Sequence, residues 1–349
     1  MSNIDERLKK LFQVPVTSEV KGSKAHYEKV FYSICSELML NYDLCFKCDG
    51  DNKEETIKRY DLLEVESYFK TEKYHHNDPY THNHPIQYKN GLWYFHHMGK
   101  SSSFKGGTRK GVDITLGIIE NGNQLASGGI LIRAIQCQTT QKLVEGPSLL
   151  VDTILKELGY TSLEGLVTNQ FDKQKISGQC WDPKSGFFLA PKEKEKKPQQ
   201  QKINFFNNGA EKEENNMEHQ INTSCRVGLG LKNRSPSLEI RLDYVCRPYR
   251  FTKKTWLLSK GKVWTILALL RAQKQHHPSS KRLNIKSTLM KSCQLEYEYG
   301  VKNSAKVIES CLLGKDILEG GLGWKIKVMS AILFREDQLM KGNKIELKV

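Results

Sequence analysis

Apolar residues in the first 45 positions recur at helical spacing: Leu8, Leu11 and Phe12, then Val30, Phe31, Ile34, Leu38 and Leu40. A 3.6-residue period of this kind predicts one or two amphipathic helices laid over a sheet. The period then changes. Asp49-Gly50-Asp51-Asn52 marks a turn, and Leu62-Leu63-Glu64-Val65-Glu66-Ser67-Tyr68-Phe69 reads as a strand. Further strands are predicted over 91–95, 112–119 and 129–135. The last two are joined by Glu120-Asn121-Gly122-Asn123, whose Asn-Gly pair favours a tight hairpin turn. Gly146-Pro147-Ser148 opens a helix that runs to about Leu158 and stops at Gly159. Helical spacing returns over 263–274, 302–313 and 324–339.

Composition changes this picture in two places. Residues 191 to about 222 are low in complexity, with a Lys/Glu run leading into Gln and Asn, and read as a disordered insertion. The boundaries this suggests are a helical extension over 1–44, a main domain over 45–255 and a basic helical extension over 256–349. Such tracts also account for the low hydrophobic fraction of 38% without abolishing a core. The net charge of +15 is concentrated: Tyr244 to Cys293 holds twelve Lys and Arg and no acid. A polyanion suits such a stretch, although a solvated basic face explains it equally well.

Nine scattered cysteines and no signal-peptide pattern favour a reducing compartment, without disulfides and without secretion. The longest apolar run, Val263 to Leu270, is far short of the roughly 20 residues that span a bilayer, so no membrane partner is expected.

Two charged residues sit inside apolar strand runs: Glu66, and Arg133 in Gly129-Ile130-Leu131-Ile132-Arg133-Ala134-Ile135. Held on sheet elements, a carboxylate and a guanidinium can form a rigid pair in a partly dry site. The plain alternative is a structural ion pair across the sheet. Tyr68, two residues beyond Glu66, shares its face by period-two alternation. The loop from Gly99 to Gly111 carries Lys100, Lys105, Arg109 and Lys110 without an acid, which suits a phosphate backbone or a flexible connection. Ser148 lies at a helix start, where free amides can hold a phosphate. Cys45-Phe46-Lys47-Cys48 lacks a second pair at zinc-finger spacing, and His75, His76, His82, His84, His96 and His97 match no known ligand pattern, so neither metal nor other cofactor is expected.

Taken in order, Glu66-Ser67-Tyr68, the Arg133 strand with Gly146-Pro147-Ser148 after it, and Arg226-Val227-Gly228-Leu229-Gly230 with Pro248-Tyr249-Arg250-Phe251 resemble the alkyladenine (3-methyladenine) DNA glycosylase family over residues 45–255. The resemblance implies an α+β single domain with a curved, mainly antiparallel sheet flanked by helices. It further implies a monomeric, nuclear enzyme of base excision repair that binds DNA, flips a damaged purine and hydrolyses its N-glycosidic bond without a cofactor. An alternative is a non-catalytic nucleic-acid-binding protein, RNA-directed or otherwise, on the same fold. Carried across, Glu66 is the water-activating carboxylate and Arg133 its orienting partner. Tyr68 and Phe95 are walls of the base pocket, His76 the pocket histidine, and Val227 a residue closing the pocket. Phe95 stands where the family has a tyrosine, Lys110 nearest its wedge tyrosine and Gly117 nearest a pocket asparagine. Arg226 either contacts a phosphate or caps a loop.

Overall fold

The computed structural model describes residues 3–20, 23–49, 55–99, 103–172, 178–193, 220–231, 237–272, 286–314 and 317–340. The chain is α+β, with an antiparallel, unclosed sheet, as the sequence led us to expect. It divides into two compact units that do not follow chain order. One comprises Met1–Asn77, Thr81–Ile221 and Phe251–Lys254; the other comprises Asp78–Tyr80, Asn222–Arg250 and Thr255–Val349. The expected insertion falls almost wholly on residues 194–219, outside the described residues, as does Lys100.

The first unit begins with helices α1 (Asn3–Leu11) and α2 (Ser23–Asn41). Its strands are β1 (Tyr42–Asp49), β2 (Glu55–Thr71), β3 (His76–Asn77), β4 (Asn90–Phe95), β5 (Val112–Leu116), β6 (Ile118–Glu120), β7 (Asn123–Cys137), β8 (Leu143–Glu145) and β9 (Phe187–Pro191). Helix α3 (Pro147–Glu157) follows β8. Strand β2 pairs antiparallel with β1 and with β7, β7 with β5, β5 with β4, and β1 with β9. The β6–β7 turn is the one the Asn-Gly pair predicted: Asn121 and Gly122 both take positive φ, 51° and 77°. Gly159, at φ 71°, follows α3 as the expected stop.

The sequence did not predict β1, because Leu38 and Leu40 carry a helical period up to its first residue. Helix α2 ends at Asn41, and alternation begins with Leu44 and Phe46 buried. Cys45 and Cys48 therefore lie three apart in a strand and point to opposite faces, which does not suit one shared metal.

Helix α2 covers one face of the sheet. Its Cys35 Sγ lies 3.2 Å from Ser67 Oγ, and Tyr27 and Phe31 pack on Phe69 with ring centroids 5.8 Å away in each case. The same face carries Trp93 and Phe95 against Phe187, at 4.6 and 6.1 Å. Each fully buried aromatic ring contributes roughly 2–3 kcal/mol through area removed from water.

The second unit is mainly helical, with helices Leu238–Cys246, Lys262–Ala272, Ser287–Lys302, Ser304–Leu313 and Leu322–Met340. Its core includes Trp264, Leu267, Ile308, Cys311, Val328 and Ile332. All three expected late helices begin and end within two residues of the predicted spans, while Ser287–Lys302 was not foreseen.

Candidate active site

The sheet face opposite α2 is where charge gathers. Strand register sets one row across it directly: Glu66 on β2 stands opposite Leu131 on β7, Leu131 opposite Asp113 on β5, and Asp113 opposite Tyr94 on β4. Directly paired residues of neighbouring strands share a face, so all four side chains leave the sheet on the same side. With strands about 4.8 Å apart, Asp113 lies about 10 Å from Glu66 along the row. The next row holds Tyr68, Gly129 and Thr115. Gly129 contributes no side chain, and Asp113 leans over it: a Cβ there would stand 2.9 Å from the Asp113 Cβ.

Arg133 reaches this face through an irregularity. The β2–β7 register runs Leu62 to Ile135, Glu64 to Ala134 and Val65 to Ile132, so Leu63 and Arg133 are each an extra residue without a cross-strand partner. Such bulges re-aim side chains, and the backbone groups they release must be satisfied elsewhere. The Lys253 amide donates to the Leu63 carbonyl at 3.0 Å, and the Gly146 amide donates to the Arg133 carbonyl at 2.7 Å.

The re-aimed guanidinium bridges two buried carboxylates. Its Nε donates to Glu64 Oε1 at 2.8 Å and its Nη1 to Glu66 Oε2 at 3.3 Å. The Tyr68 hydroxyl donates to the same Glu66 oxygen at 2.8 Å. Glu64 and Glu66 are 1% and 0% exposed, whereas Tyr68 is half-buried and so connects the cluster to solvent. Burial opposes the charge on Arg133, but Glu66 and then Glu64 outweigh it and hold its pKa above the ordinary arginine range. Glu66 is thus a carboxylate fixed in direction by two donors, one of them aromatic.

Further along the face, His96 Nε2 lies 2.8 Å from Asp113 Oδ1, and Gln87 Nε2 donates to Asp113 Oδ2 at 3.1 Å. The Lys105 ammonium contacts His82 Nε2, and His82 Nδ1 lies 3.3 Å from the Tyr94 hydroxyl. Burial, then the charges of His96 and Lys105, push the His82 pKa down to about 4. Burial also lowers that of Lys105.

No protein family and no solved structure matches the chain. A protein of Acanthamoeba polyphaga mimivirus, described as uncharacterized, is 36% identical over 81 residues. The match covers 21% of this chain and 37% of the viral protein, so the chain spans well under two thirds of that relative's length. It carries no activity across.

The structure brings Glu66, Arg133 and Tyr68 together and places the other candidates elsewhere. His76 is a core residue: 0% exposed, its Nδ1 2.7 Å from the Phe69 carbonyl, and packed by Tyr27 and Phe31. Phe95 faces Phe187 on the opposite side of the sheet from Glu66. The β4 tyrosine that shares the Glu66 face is the neighbour of Phe95, Tyr94, which the sequence analysis does not single out, nor does it single out Glu64 or Asp113. Period-two alternation could have found Tyr94 had the register of β4 been known.

Val227 is half-buried in the second unit. In that unit Arg226 is closed in an ion pair, its Nη1 2.5 Å from Asp78 Oδ2 and both side chains 0% exposed. Of the basic loop, Arg109 is exposed, Lys105 is half-buried on His82, and Lys110 pairs with Asp152 of α3, the helix on which Ser148 stands half-buried in the first turn. At Gly117 a Cβ would stand 2.0 Å from the Tyr88 carbonyl carbon, so close backbone approach dictates glycine there. Among the described residues no group of three or more His, Cys, Asp or Glu is arranged to hold a metal, and no helix is long and apolar enough to cross a membrane.

Proposed function

We propose that the protein hydrolyses the N-glycosidic bond of damaged purines in DNA, with Glu66 as the base that activates water. One observation carries this reading: a buried carboxylate held by Tyr68 and Arg133 beneath a half-buried aromatic ring. As the glycosidic bond lengthens, the sugar gains oxocarbenium character. A fixed carboxylate beside the anomeric carbon then takes a proton from the attacking water and stabilises the positive charge. Arg133 and the Tyr68 hydroxyl keep Glu66 oriented, and the Tyr68 ring offers a stacking surface to an electron-poor purine extruded from the duplex. The exposed Arg109 and, in the second unit, the exposed Lys260, Lys286 and Lys291 supply charge for phosphates. Base excision repair in the nucleus is the setting this activity fits.

A second reading has its own support. Phe95 and His76, which the resemblance assigned to the base pocket, lie in the core, and Arg226, a candidate phosphate contact, is closed in an ion pair. That favours a nucleic-acid-binding protein without catalysis, acting on DNA or RNA. Purified protein incubated with duplexes bearing an alkylated purine or hypoxanthine, then treated with alkali, separates the two. Strand breaks at the lesion support hydrolysis; retained binding with no abasic product supports the second reading.

A further inference from the structure

Away from Glu66, the first unit contains a cavity of about 550 Å³ whose lining is polar apart from Leu40. Asp43, Asp61, Gln136, Gln138, Lys192 and Lys253 all face it. Asp43 on β1 and Asp61 on β2 are direct cross-strand partners, and both are buried, at 1% and 8% exposure. Like charges placed opposite one another weaken a sheet, and here four cations, Arg59, Lys192, Lys253 and Lys254, offset them.

Beside Asp61 stands a buried amine. Lys253, 3% exposed, donates from Nζ to the Met39 carbonyl at 2.8 Å and to Asp61. The Lys192 ammonium reaches Asp61 at 2.5 Å and Asp43 at 3.9 Å, and Lys254 stands 3.7 Å from Asp61. Arg59 Nη1 donates to Asp43 Oδ2 at 3.3 Å, whereas the buried Asp43 Oδ1 has no hydrogen-bond partner.

The surroundings drive the two acids apart. Burial raises the Asp43 pKa, while for Asp61 burial is outweighed by Lys253 and Lys192, which hold it below the ordinary carboxylate range. Burial lowers Lys253 to about 7, so a substantial fraction of the amine carries a lone pair at neutral pH. An acid whose pKa burial raises, a carboxylate whose pKa two lysines lower, and an amine of lowered pKa around one polar cavity make up the set needed for carbonyl chemistry.

We propose that Lys253, with Asp43 and Asp61, forms a second site that takes a small hydroxy-aldehyde or hydroxy-ketone and holds it as an imine on the lysine nitrogen. The polar lining excludes a flat apolar ligand and offers the Gln136 and Gln138 amides to hydroxyl groups. Lys192, 26% exposed at its side chain, suits an anionic substituent such as a phosphate. The Nζ lone pair attacks the carbonyl carbon, and the carbonyl oxygen takes a proton from Asp43, giving a carbinolamine. Nitrogen gives one proton to Asp61, which passes it to the hydroxyl; the C–O bond breaks, water leaves, and the remaining nitrogen proton returns to Asp43. Amine plus carbonyl gives imine plus water, with no change of oxidation state.

The test uses the full-length protein, glyceraldehyde 3-phosphate and cyanoborohydride at pH 7, with adducts mapped by peptide mass spectrometry. Lys253 is expected to be labelled at least about tenfold faster than the median exposed lysine, as an activated amine should be. Asp61→Asn should slow labelling at Lys253 by about tenfold while leaving exposed lysines unchanged. Labelling of Lys253 at the exposed-lysine rate or below it overturns the proposal. That comparison is made on the unmutated chain, so it does not depend on whether any variant folds, and its outcome is independent of the reading of Glu66.

Discussion

Arg133 and Arg226 both turn a guanidinium group to buried carboxylates, yet the chain uses them in opposite ways. Arg226 meets Asp78 with two nitrogens, at 2.5 and 3.2 Å, and gives a third contact to the Tyr244 carbonyl at 3.2 Å. Both members of that pair are sealed, which is the arrangement of a structural ion pair. Arg133 instead spans two acids from a bulge, and one of them is also bonded to a half-buried tyrosine that opens toward solvent. The lesson is that burial and pairing alone do not mark a site. What distinguishes the Glu66 cluster is a strand irregularity that aims a cation at two carboxylates beside a half-buried tyrosine.

The widest separation between the two arginines should appear on substitution. Glu66→Gln is expected to lower excision by about 10³-fold or more, with DNA affinity largely kept. Arg133→Gln should lower it by about 10²-fold through loss of carboxylate orientation. Arg226→Met should leave Asp78 buried and uncompensated, at a cost of about 3–5 kcal/mol in denaturant unfolding, with little effect on turnover per folded molecule. If Arg226→Met lowers turnover as far as Arg133→Gln does, the distinction between the two pairs fails.

The two faces of β4 give a second contrast. Phe95→Leu should cost about 1–1.5 kcal/mol of stability by disturbing its packing on Phe187, and leave kcat/KM unchanged. Tyr94→Phe should keep stability within about 1 kcal/mol while altering turnover, because the lost hydroxyl lies on the Glu66 face beside His82. The reverse pattern would place the working face on the other side of the sheet.

A last effect concerns acid. The folded pKa of His82, about 4, is below its ordinary value of 6.5, so the unfolded chain binds more protons between these limits. Stability is therefore complete above pH 6.5 and declines as the pH falls toward 4. The loss is about 1–2 kcal/mol once solvent screening at this half-buried ring is allowed for. His82→Gln should flatten that slope in denaturant midpoints measured across the range.

These contrasts also mark what the sequence could express. Local signals were legible: the positive φ demanded by Asn121-Gly122, the stop at Gly159, and the alternation that puts Glu66 and Tyr68 on one face. Long-range register was not. One residue of shift in β4 decides whether Tyr94 or Phe95 shares the Glu66 face, and no local period reports it. The double bulge that delivers Arg133 is likewise a property of two strands together. The resemblance put His76 in the base pocket, while its place in the core is set by α2, 35 or more positions earlier in the chain. Charge was misleading in the same way: Arg247, Arg250 and Lys253 belong to the basic stretch, yet all three are buried.

The central claim is that Glu66 activates water for glycosidic cleavage. Single-turnover release of base from a hypoxanthine-containing duplex, with enzyme in excess over DNA and binding measured in parallel, tests it most directly. The account predicts release by the unmutated chain, a rate lower by about 10³-fold or more in Glu66→Gln, and equal DNA binding by both. Undiminished release by Glu66→Gln would contradict it.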